Sequence, residues 1–138
     1  MRIPILRLGN ILLTSIQVDL TDEDVMLFQN DVVNEVSRTE AMGLAIDITA
    51  LEIVDSFMAR VINDTANMAR LLGAEVVVCG IQPTVAMTLV EMGRGLLGAQ
   101  STFNLEQGLI VLRQRIVQRA DLWAFDDDER SRDRPFNF

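Results

Sequence analysis

The chain contains no histidine and no lysine, so every basic side chain is an arginine. Without His there is no Ser-His-Asp or Cys-His arrangement, no imidazole metal ligand and no general base poised near neutral pH. Without Lys there is no Walker A loop and no Schiff-base nucleophile. Tyr is absent too, and six Phe with one Trp leave an aliphatic core of Val, Ile, Leu, Met and Ala. A single cysteine, Cys79, cannot form an internal disulfide, which suits a reducing, cytoplasmic setting. No window approaches the roughly 18 apolar residues of a membrane span, and Arg7 with Gly9-Asn10 interrupts the run a signal peptide would need. The catalytic repertoire shrinks to carboxylates, hydroxyls and one thiol, and the chain reads as a non-enzyme without cofactor or metal.

At 138 residues, with 49% hydrophobic and 23% charged positions, the sequence fits one compact domain. Its net charge of −8 repels phosphate backbones, so nucleic acid is excluded as a partner.

Two apolar runs, Ile3 to Leu8 and Ile11 to Ile16, flank Gly9-Asn10, a pair suited to a hairpin turn needing positive φ. Thr21 before Asp22-Glu23-Asp24 is a hydroxyl N-cap with acid in the first turn. Val25, Phe28, Val32, Val33 and Val36 follow at helical spacing, predicting a helix that ends near Glu40. Gly43 to Ile48 and Glu75 to Ile81 are short, β-branched and apolar, as strands buried on both faces should be. Between them Phe57, Val61, Ile62, Ala66, Ala69 and Leu72 mark a helix face, with Arg60, Asn63, Asp64, Asn67 and Arg70 elsewhere, until Gly73. Pro83 opens another helix, Ala99 to Phe103 supplies a short last strand, and Asn104 with Gln107 resembles a capping box for a final helix on Leu105, Leu109, Leu112 and Ile116. The order ββαβαβα(β)α predicts an α/β fold, a mixed sheet of four to five strands flanked by about four helices. Residues 1–123 form the domain, and 124–138, which contains Asp126-Asp127-Asp128-Glu129, read as a flexible charged tail.

Four motifs invite chemistry and three of them dissolve. Gly93-Arg94-Gly95-Leu96-Leu97-Gly98 spells a dinucleotide fingerprint, but it follows a helix and leads towards a strand, the reverse of what a pyrophosphate site requires. Cys79 lies within an apolar strand, where burial makes a thiol inert. Nothing gives Asp47 and Asp55 the polar pocket or partner base that paired catalytic carboxylates need. The segment from Asp47 to Phe57 is different, because it carries the Ser56 hydroxyl from a strand end to a helix start. Ser56 or Asp55 caps that helix. A phosphate on Ser56 would meet free N–H groups and the positive end of the helix dipole, adding about 1.5 to 2 negative charges beside Asp55 and Glu52.

The order of elements and the Asp55-Ser56 pair together resemble the STAS domain family of anti-sigma-factor antagonists. The opening Ile3 to Leu13, the run Ile16-Gln17-Val18-Asp19-Leu20, the block Asp47 to Arg60 and the stretch Gly80 to Ala86 are similar to its stressosome branch, the RsbS type. Phe57 stands where the sporulation branch has a small residue, which favours the stressosome branch. The resemblance implies phosphorylation of Ser56 by an RsbT-like serine kinase that brings its own ATP and Mg²⁺, with reversal by an RsbX-like phosphatase. It further implies co-assembly with RsbR-like STAS sensor and scaffold proteins in a large homo- or hetero-oligomer, the output being an alternative sigma factor or another stress response. Asp55, Phe57, Met58 and Arg60 are the partner-contact residues it points to. A STAS-type small-molecule sensor, binding a nucleotide or lipid, is the alternative.

Overall fold

The computed structural model describes residues 2–17, 20–92 and 99–132, with side chains described as far as residue 122. The hairpin forms as expected. Strands β1 (Ile5–Leu8) and β2 (Ile11–Ser15) pair antiparallel with Leu8 opposite Ile11, and Gly9 supplies the positive φ of 61° that the turn needs. Thr21 then caps α1 (Asp22–Thr39) in a full capping box with Asp24, and Glu40 ends it in the left-handed region at φ 51°. Strands β3 (Gly43–Asp47), β4 (Glu75–Cys79) and β5 (Gln100–Thr102) continue the sheet in parallel, in the order β1-β2-β3-β4-β5. Helices α2 (Ser56–Leu71) and α3 (Pro83–Glu91) bridge the parallel strands, and α4 (Leu105–Arg132) closes the order.

Side chains alternate across the sheet and sort the core in two. Leu12, Leu44, Ile46, Val76 and Val78 join Phe28, Val32, Ile62, Ala66 and Val85 in the larger cluster beneath α1, α2 and α3. Ile11, Ala45, Val77 and Cys79 meet Leu112 and Ile116 of α4 on the other face. Two glycines set how closely α4 lies. A Cβ on Gly108 would come within 2.4 Å of the Cys79 sulfur, and one on Gly43 within 3.3 Å of Ile116. Every residue of β4 is buried, which accounts for its unbroken apolar reading at about 1.5–3 kcal/mol per fully buried Val.

The structure departs from the sequence reading at four places. Strand β4 stops at Cys79, because Gly80 turns away at φ 74°. Asn63 is buried at 4% exposure in α2, its Oδ1 without a hydrogen-bond partner among the described residues, whereas Leu72 stands half exposed past the helix end. Helix periodicity assigned these two by polarity, and packing against neighbouring helices decided otherwise. Helix α4 also runs on to Arg132, through the first part of the expected tail; no Gly or Pro lies between Leu109 and Arg134 to stop it. The Gly93–Gly98 run lies outside the described residues. Among the described residues no helix is long and apolar enough to cross a membrane.

Candidate functional site: the start of helix α2

Parallel strands deliver their following loops to one edge of the sheet, so the β3–α2 and β4–α3 connections meet there. The β3–α2 loop is pinned from within and from the side. Leu51 and Val54 insert into the core at 3% and 4% exposure, leaving Glu52, Ile53, Asp55 and Ser56 outside. Gln82 Nε2 donates to the Thr49 carbonyl at 2.7 Å, and the Thr84 hydroxyl donates to the Glu52 carbonyl. Thr49 is itself fixed: its hydroxyl donates to Asp47 Oδ1 at 2.5 Å and its backbone N–H to the same oxygen at 3.0 Å. Gly80 lies so close beneath it that a Cβ there would sit 1.9 Å from Thr49 Oγ1. Sequence inspection did not single out Gly80, Gln82 or Thr84 as builders of this site, since their partners lie about 30 residues away.

Asp55 is the N-cap of α2, with extended backbone and Oδ1 accepting the Met58 N–H at 2.7 Å. Ser56 is therefore the first helical residue, and it is exposed. Among the described residues no hydrogen bond holds its hydroxyl, and the N–H groups of Ser56 and Phe57 have no acceptor. An accessible hydroxyl thus stands beside orphan amides and the positive end of a helix of 16 residues. Arg60, one turn on, is also exposed. Phe57 is half-buried and lines a groove with Asp22, Glu23, Met26 and Leu27 of α1. Met58 is different: at 8% exposure it belongs to the core beneath the helix start, so its side chain supports the surface rather than forming it. Cys79 is fully buried, and burial pushes its thiol pKa up, opposed by a hydrogen bond involving Thr102 and reinforced by the Asp47 charge. A thiol kept protonated in this way is no nucleophile.

This architecture matches known proteins. The STAS domain model matches residues 2–96. The chain belongs to the STAS family. RsbS of Moorella thermoacetica, solved with one serine replaced by glutamate, superimposes with a TM-score of 0.74 at 38% identity, over 81% of this chain and 95% of that one. A chain from a structure describing the molecular architecture of the stressosome, a signal integration and transduction hub, gives 0.72 at 40% identity, over 80% and 96%. Among curated proteins, the RsbT co-antagonist RsbRA of Bacillus subtilis is 30% identical over 79 residues, 57% of this chain. This chain spans only 29% of that relative's length. The five-stranded mixed sheet with its helices is accordingly the STAS fold seen in RsbS.

Proposed function

We propose that this STAS protein is a non-enzymatic phosphoswitch and scaffold subunit of a stressosome-type assembly, in which Ser56 is the phosphorylated residue. The observation that carries the reading is the free, exposed Ser56 hydroxyl at the first position of α2, next to a capping Asp55. Unmodified, the surface of Asp55, Ser56, Phe57 and Arg60 binds an RsbT-like kinase, and the body of the domain assembles with RsbR-like STAS proteins. Phosphorylation adds about 1.5 to 2 negative charges where Asp55 and Glu52 already stand, and a partner docked there meets like-charge repulsion and an uncompensated desolvation cost. The fold survives, because the dianion lies at a helix N-terminus and one turn from Arg60. Release of the kinase would then pass the signal to a sigma factor or another stress output, and an RsbX-like phosphatase would reset the switch.

Thr49, the other hydroxyl in the loop, is spent on Asp47 and packed over Gly80, which favours Ser56 as the acceptor. Incubation with a co-encoded serine kinase and Mg-ATP, followed by intact mass and peptide mapping, is the test. One phosphate on Ser56, its complete loss in Ser56→Ala, and an unchanged melting temperature in that variant are expected. Phosphate on Thr49 with Ser56 unmodified would overturn the assignment.

A further inference from the structure

Helix α1 turns Val25, Phe28, Val32 and Val36 into the core, so the face that carries Asp22, Glu23, Met26, Leu27 and Asn30 is left to solvent. A solvent face is expected to be polar. This one keeps two apolar side chains, Met26 and Leu27, 40% and 39% exposed and one turn after the two carboxylates. Helix α2 packs alongside α1, and Phe57, the residue that follows Ser56, closes a groove of about 460 Å³ lined by Met26, Leu27 and Phe57 together with Asp22, Glu23 and Asn30.

The helix dipole favours Asp22 and Glu23 in the first turn of α1, but the dipole alone does not neutralise them. The capping box is closed by Asp24, and neither Asp22 nor Glu23 forms an ion pair among the described residues. Two uncompensated carboxylates therefore stand beside exposed apolar surface, in a chain of net charge −8. An occupant that satisfies both features carries a basic side chain towards Asp22 and Glu23 and apolar side chains over Met26, Leu27 and Phe57. A lipid tail or a neutral small molecule would meet the second requirement alone, and a second copy of this acidic chain would bring net charge of the same sign.

We propose that this groove is the docking site for a basic, amphipathic segment of the kinase that modifies Ser56, a contact beside the acceptor and separate from it. The inference rests on the Ser56 reading for the identity of the partner and adds a second point of attachment on α1. Phe57 joins the two, since it lines the groove and is bonded to the acceptor residue. The kinase then presents its nucleotide phosphates to the Ser56 hydroxyl and positive charge to α1. A dianion added at Ser56 repels the first, while the groove selects a kinase whose segment has the matching charge.

Steady-state phosphorylation by the co-encoded serine kinase, with the full chain as the varied substrate, tests the docking together with calorimetric kinase binding in a Ser56→Ala background. Asp22→Asn/Glu23→Gln and Met26→Gln/Leu27→Gln should each raise KM and Kd by about 10-fold. The first pair should also flatten the dependence of Kd on salt. In both pairs kcat should stay at the parent value, because the acceptor is untouched; a variant that failed to fold would lose kcat as well. Glu91→Gln/Glu106→Gln, which removes two exposed charges outside the groove, should leave KM and Kd unchanged. Phosphate on Ser56 with KM and Kd indifferent to both groove pairs, or an equal response to the Glu91/Glu106 pair, would overturn the docking and leave the acceptor assignment standing. Groove-dependent binding with no phosphate on Ser56 would uphold the docking and strike the acceptor assignment, and neither binding nor phosphate would overturn both.

Discussion

The two ends of the parallel strands are built on opposite principles. At the end that leads into α2, the ionisable groups Glu52, Asp55 and Arg60 stand outside and the Ser56 hydroxyl has no partner among the described residues, while backbone and side-chain hydrogen bonds hold the loops. At the other end Glu75 is 9% exposed and is gripped by Arg70, Arg115 and Arg119, joining α2, β4 and α4. Charge is a permanent brace at one end. At the other the exposed Ser56 hydroxyl carries none, and in the proposed switch charge would be added and removed there without disturbing packing. If Ser56 is modified as proposed, the structural ion pairs around Glu75 stand at the opposite end of the strands from the added charge.

The contrast is sharpest at Gly80, whose left-handed φ and closeness to Thr49 leave no room for a side chain. Gly80→Ala should destabilise by about 3 kcal/mol, measured by urea unfolding, because it combines backbone strain with a collision against a pinned loop. A loss below the measuring error would mean the loop is not fixed from beneath. At the braced end, Glu75→Ala strands three guanidinium groups near one another. With the arginines 36–46% exposed the expected cost is about 2 kcal/mol, below that of a fully buried pair, and it should shrink as salt screens the arginines. The smallest effect belongs to Asp55→Ala, which removes the Met58 N–H acceptor and should cost about 1 kcal/mol. Asp55→Asn should recover most of that stability; if it also restores kinase binding, the cap, rather than the carboxylate charge, is what the partner needs.

Much of the fold was legible because its signals are local. Gly9-Asn10, Thr21 and Pro83 each act within a few residues of themselves, and their turn, N-cap and helix start stand where the sequence put them. Strands β3 and β4 were legible because burial on both faces leaves an unbroken apolar run. The site was half legible. Asp55-Ser56 at a strand-to-helix junction could be read, but the choice of Asp55 as cap and Ser56 as first helical residue depended on backbone geometry. Met58 was expected at the partner surface from the family resemblance alone, yet the helix rotates it inward; Asn63 was assigned away from the apolar face because it is polar, yet it is buried.

The sequence by itself determined the class of fold: alternating strands and helices with an aliphatic core, and a hydroxyl carried to a helix start. Tertiary structure alone decided what is available at that start, because Gln82, Thr84 and Gly80 reach the loop from a distant part of the chain and only packing brings them together. It likewise decided that Glu75 would gather three arginines, since two of them lie on a helix whose path over the sheet is set by Gly43 and Gly108 rather than by its own sequence.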